Sequence, residues 1–206
     1  MKAWKFVTIA AVSVMLAACG STSRIKPSQA PEGDGAAQPA SLRLSPALVQ
    51  GYSTVQVVDF EDATAHARIP ERHRAEHIAT VGQATRDFAD RIATEIRETG
   101  AFPNVSRSPV EGKALVLGGR ITRFKEGNGA ARLFIGFGAG SSFFDATVVL
   151  KDHETGQVLG EIVVDRNSWP LGGVLAATQT VDRFMAGAAK KTAAELDALK
   201  RGEAAD

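Results

Sequence analysis

Cys19 is the chain's only cysteine, so no disulfide within one chain can staple the fold, and no second thiol exists to act as a nucleophile or soft metal ligand. Whatever folds here must hold together by packing alone. Ahead of that cysteine, Lys2 and Lys5 precede an apolar run from Phe6 to Ala18. A charged start, a short apolar stretch and small residues at its end are the three parts of a secretory signal. The run falls short of the roughly 20 residues a helix needs to span a bilayer.

The end of the run, Leu16-Ala17-Ala18-Cys19, resembles the lipobox of bacterial lipoproteins. That resemblance implies diacylglycerol transfer to the Cys19 sulfur, cleavage after Ala18, and acylation of the freed amine. Several acyl chains hold stably where one anchors only marginally. Gly20, in place of an aspartate, favours the outer over the inner membrane by the same resemblance, with the domain facing the periplasm. The expected organisation is a signal peptide over residues 1–18, a lipid-anchored tether over 19–41, and one domain over 42–206. Ser21 to Ser41 is rich in Ser, Pro, Gly and Ala. A stretch so poor in large apolar side chains buries too little to offset its ordering entropy.

Removing residues 1–18 takes two lysines from the 24 Lys+Arg, leaving 22 against 23 Asp+Glu, a charge of −1. A near-neutral surface offers no electrostatic footprint for nucleic acid. Within the domain, Tyr52 to Phe60 is β-branched and aromatic and predicts a strand. Ile78, Val81, Phe88, Ile92 and Ile96, with Ala84, Thr85 and Ala89, share a helical stripe that ends at Gly100. A short strand over 102–105 and a longer one over 114–124 follow. Two more, 146–151 and 157–165, flank the turn Asp152-His153-Glu154-Thr155-Gly156 and predict an antiparallel hairpin. Val181, Phe184, Met185, Ala188, Thr192, Leu196 and Leu199 mark a last amphipathic helix ending near Gly202. The order β-α-β-β-β-β-α predicts an α/β (α+β) fold, a single mixed sheet with both long helices packed on it.

Chemistry-bearing motifs are sparse. His73-Arg74-Ala75-Glu76-His77 matches H-x-x-E-H, which on a helix turns two imidazoles toward one zinc with the glutamate as base. Arg72 and Arg74 would repel a divalent ion there, and no third ligand is signalled. A zinc-dependent hydrolase at His73, Glu76 and His77 is therefore the lesser alternative. The expectation is a protein that is not an enzyme and carries no cofactor or metal. The glycines of 127–129 and 136–140 lack the lysine and spacing of a phosphate loop. From Ala130 to Phe144 the only charge is Arg132, and the apolar side chains there, with Trp169 beyond, are the least explained by strand or helix patterning. Phe134, Phe137, Phe143 and Trp169 are the candidate contacts for an unidentified envelope protein partner.

The chain resembles the family of bacterial lipoproteins described as a domain of unknown function, DUF4410. The features carrying the likeness are the lipobox, the early strand ending in Asp59-Phe60, the run from Gly129 to Gly140, and Val149-Leu150-Lys151-Asp152 with Thr155-Gly156. It covers most of Gly51 to Leu199. It implies a secreted, lipid-anchored α/β domain, similar in shape to the sheet-and-helix modules of the curli secretion lipoprotein and the Tol-Pal β-propeller protein. The resemblance implies no activity; with no catalytic motif in the chain, the expected function is non-enzymatic binding or scaffolding in the envelope, with a subunit of an outer-membrane secretion or assembly complex as the alternative.

Overall fold

The computed structural model describes residues 22–26, 46–127, 142–167 and 180–203. Among them the strands are β1 (Thr22–Lys26), β2 (Thr54–Val57), β3 (Glu61–Asp62), β4 (Asn104–Ser106), β5 (Leu115–Lys125), β6 (Phe143–Asp152) and β7 (Val158–Asn167). The helices are α1 (Pro46–Gln50), α2 (Glu71–Thr99) and α3 (Val181–Arg201), with a 3₁₀ turn at His66–Arg68. All seven strands join one sheet in the order β1-β7-β6-β5-β2-β4, with β3 also on β5. The β5–β6–β7–β1 pairings are antiparallel, and β2 pairs parallel with both β4 and β5. This is the mixed sheet that the sequence predicts, of the α+β class.

Alternation decides which face is covered. Phe144, Ala146, Val148 and Leu150 of β6, with Leu115, Leu117 and Ile121 of β5, are buried. They lie on the face where α2 and α3 pack against each other and against the sheet. Val81, Phe88, Ile92 and Ile96 supply the α2 side of this layer, and Phe184, Ala188, Leu196 and Leu199 the α3 side. Ile78, expected on the same stripe, is instead 45% exposed. The cause is length. At about 1.5 Å per residue the 29 residues of α2 outrun β5, which is 11 residues long at about 3.3 Å each, so the first turns of the helix overhang the sheet. Both helices stop at glycines in the left-handed region, Gly100 (φ 69°) and Gly202 (φ 88°), as left-handed caps require.

The strand predicted over Tyr52–Phe60 is broken. Val57 pairs with Leu117, but Glu61 pairs with Arg120, so four residues of one chain advance against three of the other. The surplus residue is a bulge, and it turns Phe60 inward onto Phe88, ring centroids 4.8 Å apart. Where β4 ends, Arg107 takes over its edge. Its guanidinium donates to the Val57 carbonyl and Asp59 and pairs with Asp90 of α2 at 2.6 Å.

The stretch expected to be a tether also holds structure. Thr22–Lys26 pairs antiparallel with β7, Thr22 opposite Asp165 and Lys26 opposite Glu161. A five-residue edge strand needs only backbone partners along one side, and a composition averaged over some twenty residues does not reveal it.

At the opposite end of the sheet, Asp152 fastens the hairpin to the entry of β2. Its carboxylate accepts from the Thr155 amide (2.8 Å), the Thr155 hydroxyl (2.7 Å) and the buried Tyr52 hydroxyl (2.5 Å). Lys200 of α3 donates to the carbonyls of Gln50 and Tyr52 at 2.8 and 2.5 Å. The hydrogen bonds from Tyr52 and Thr155 hold the Asp152 carboxyl at about 2, below its ordinary 3.8. Burial, then the hydrogen bond and charge of Asp152, push Tyr52 from 10.0 up to about 12. A lowered carboxyl stabilises the fold above its unfolded value and loses that contribution as pH falls toward 2; a raised phenol stabilises below 10 and loses it as pH climbs toward 12. Tyr52→Phe should therefore cost about 1–2 kcal/mol at neutral pH. Urea titrations should show that gap widest between pH 4 and 10 and closing on either side.

Candidate functional site

The overhang of α2 creates a cleft of about 590 Å³. His73, Glu76, His77 and Thr80 come from the helix; Thr64, Ala65, Arg68 and Ile69 come from the connection before it; Thr122 to Glu126 and Phe143 come from the ends of β5 and β6. The local sequence explains the arrangement. Arg120-Ile121-Thr122-Arg123-Phe124-Lys125 sends Ile121 and Phe124 into the core, while Arg123 pairs across the strands with Asp145 and Lys125 with Phe143.

Charge and aromatic surface interleave at this end. Arg123 lies over the Phe143 ring at 4.4 Å, and its Nε reaches Asp145 at 2.7 Å. Lys125 sits 5.8 Å from the same ring. Burial pushes the Asp145 carboxyl up, and neighbouring Asp165 adds to the rise, against the lowering by Arg123. On the other wall, His66 Nε2 is 3.1 Å from Asp62, and the His66 ring meets His77 edge to face at 5.7 Å.

The histidines expected as zinc ligands do line one cleft, but His73 is committed elsewhere. His73 Nε2 accepts from Arg72 Nε at 3.0 Å, which places a guanidinium on the lone pair a cation would use. Arg74, expected to repel a cation there, is instead neutralised by Glu71. Among the described residues no three His, Cys, Asp or Glu side chains converge on one point. Thr64 and His66 sit 3.4 Å apart, yet the Thr64 hydroxyl donates to Asp62 at 2.8 Å. Its proton is directed at the carboxylate rather than at the imidazole, so no base activates it. The cleft offers an apolar floor of Ile69, Phe124 and Phe143 under a mixed rim of cations, imidazoles and the carboxylates of Glu76 and Glu126.

Of the candidate contact residues, Phe143 is half-buried in this cleft. Phe134, Phe137 and Trp169 lie outside the described residues, as does Cys19. Arg68, Arg123, Lys125, Asp145 and the Asp62–His66 pair were not singled out by sequence motifs. The alternating charges of Arg120, Arg123 and Lys125 on a strand pattern are the signal that could have found part of this group.

Fold and cleft together define a two-layer α+β domain with one helical layer. The chain belongs to the family described as Domain of unknown function (DUF4410), whose model matches residues 38–172. No curated protein matches the sequence. Among solved structures, the chain is similar to a PelC variant from Paraburkholderia phytofirmans, a dodecamer, at TM-score 0.50 and 15% identity, over 85% of this chain and 98% of that one. It is also similar to protein XCC0632 from Xanthomonas campestris, of the family DUF330, at TM-score 0.45 and 13% identity, over 74% of this chain and 88% of that one. At such identity the PelC likeness is one of fold.

Proposed function

We propose that this chain is an outer-membrane lipoprotein, held by acyl groups on Cys19, whose domain works in the periplasm by binding or scaffolding another envelope component rather than by catalysis. The lipobox at Leu16-Ala17-Ala18-Cys19 is the observation that carries it. The fold supports a contact role, because both long helices cover one face of the sheet. On the other face Val58, Val116, Val149 and Val163 are only half-buried. A second reading, as one of several copies in an outer-membrane secretion or assembly complex, is favoured by the dodecameric state of the similarly folded PelC.

Cys19→Ser is expected to abolish labelling with radioactive palmitate and to leave the precursor uncleaved. In cells crosslinked before lysis, the parent should appear in higher-mass adducts that the variant lacks. A variant processed and labelled like the parent would defeat the anchored reading.

A further inference from the structure

The pairing of β1 fixes where an anchor on Cys19 must sit. Thr22 lies opposite Asp165, Asp165 opposite Asp145, and Asp145 opposite Arg123. These four residues form one row across four neighbouring strands. Cys19 is three residues before Thr22, so whatever course those residues take, its sulfur stays within roughly 10 Å of that row's edge at about 3.3–3.6 Å per residue. The turn at Asp152–Gly156 is some nine residues of β7 away, about 30 Å at about 3.3 Å each. A lipid on Cys19 therefore belongs to the Arg123 end of the sheet and cannot reach the hairpin end.

We propose that this end, with the cleft in it, is the surface that docks on the phospholipid headgroups; the proposal rests on the anchored reading above. Its chemistry matches that occupant. Arg68 and Lys125 are exposed, line the cleft, and have no carboxylate partner among the described residues, and Glu76 and Glu126 line it likewise with the opposite sign, whereas Arg123 is neutralised by Asp145. Arg68 and Lys125 can each meet a lipid phosphate at this end. Ile78, on the overhanging turns of α2 at the same end, is the large apolar side chain left exposed among the described residues. Phe143 sits between Arg123 and Lys125. An amphipathic cation–apolar surface is suited to the headgroup boundary. The hairpin end, carrying His153 and Glu154, then points away from the membrane.

The test uses the lipidated full chain in vesicles of phosphatidylethanolamine and phosphatidylglycerol. Because the Cys19 sulfur is acylated, an introduced cysteine is the only thiol to label. Glu126→Cys at the docking end and Glu154→Cys at the hairpin each receive a bimane fluorophore, with nitroxide-headgroup lipid as quencher. Quenching is expected to be several-fold stronger at position 126 than at 154. A glycine-serine insert of about a dozen residues between Ser21 and Thr22 should erase that difference by freeing the anchor. Arg68→Glu with Lys125→Glu should weaken quenching at 126 on these vesicles while leaving it unchanged on pure phosphatidylcholine. Equal quenching at both positions in a protein that floats with vesicles would overturn the orientation alone. A chain that does not float with vesicles would overturn the anchor and the orientation together.

Discussion

Phe88→Ala should cost the domain about 3–5 kcal/mol, the range for emptying a fully buried aromatic site. The ring is 0% exposed and stands between Phe60 at 4.8 Å and Phe144 at 4.9 Å, tilted 57° to the one and 72° to the other. Those angles are the offset arrangements that aromatic pairs favour. The three rings join the bulge after β2, the middle of α2 and the start of β6. Removing the central ring leaves Phe60 without the contact that holds the broken strand against the helix. Domains of this size are stable by only about 5–15 kcal/mol. Urea unfolding followed by circular dichroism should place the variant's midpoint far below the parent's. A shift under about 1 kcal/mol, the scale of a surface substitution, would show that the ring is not packed as described.

Gly119→Ala should be at least as damaging, through the backbone rather than a cavity. Gly119 sits in the middle of β5 at φ 142°, and a Cβ there would fall 1.9 Å from the Thr147 carbonyl oxygen and 3.1 Å from Val148 Cα. Both obstacles are backbone atoms of β6 and cannot rotate aside. Side-chain residues pay about 1–3 kcal/mol for such a φ alone, before the two central strands are pushed apart. Gly82→Ala is the matched control: it lies within α2 with nothing within 4 Å of its Cβ position, and should stabilise by roughly 0.5–1 kcal/mol. Thermal melts in which the two variants behave alike would contradict the register between β5 and β6.

Much of the fold was written in periodicity that a single sequence displays. The stripe from Val81 to Ile96 and the one from Val181 to Leu199 became buried helix faces, and Gly100 and Gly202 became their caps. The polar turn after Asp152 closed the predicted hairpin. The departures share a cause, which is that pattern carries no lengths in space. Ile78 keeps the helical phase of its stripe, but nothing in the sequence says where the sheet beneath it ends. Tyr52 to Phe60 reads as one strand because the bulge shows only in its pairing with β5, sixty residues further on, where Gly118 leaves room for the Val58 side chain. The cleft was half legible. His73, Glu76 and His77 stood out by spacing and Phe143 by its unexplained apolar setting, whereas Arg68 and Lys125 come from separate segments that only the closed sheet brings to them. Thr22–Lys26 was hidden among tether-like neighbours.

The clasp of Lys200 on Gln50 and Tyr52 has a consequence for how the polypeptide matures. The partners of β2 lie some fifty to sixty residues downstream in β4 and β5, and the last residues of α3 grip the segment that opens the domain. The helical layer is complete only once α3 has packed beside α2. The β5–β6–β7 meander pairs strands adjacent in sequence, so the slow steps of folding are those that join β2 and α3 to it across long loops. Until α3 reaches Gln50 and Tyr52, the entry of β2 lacks one of its clamps.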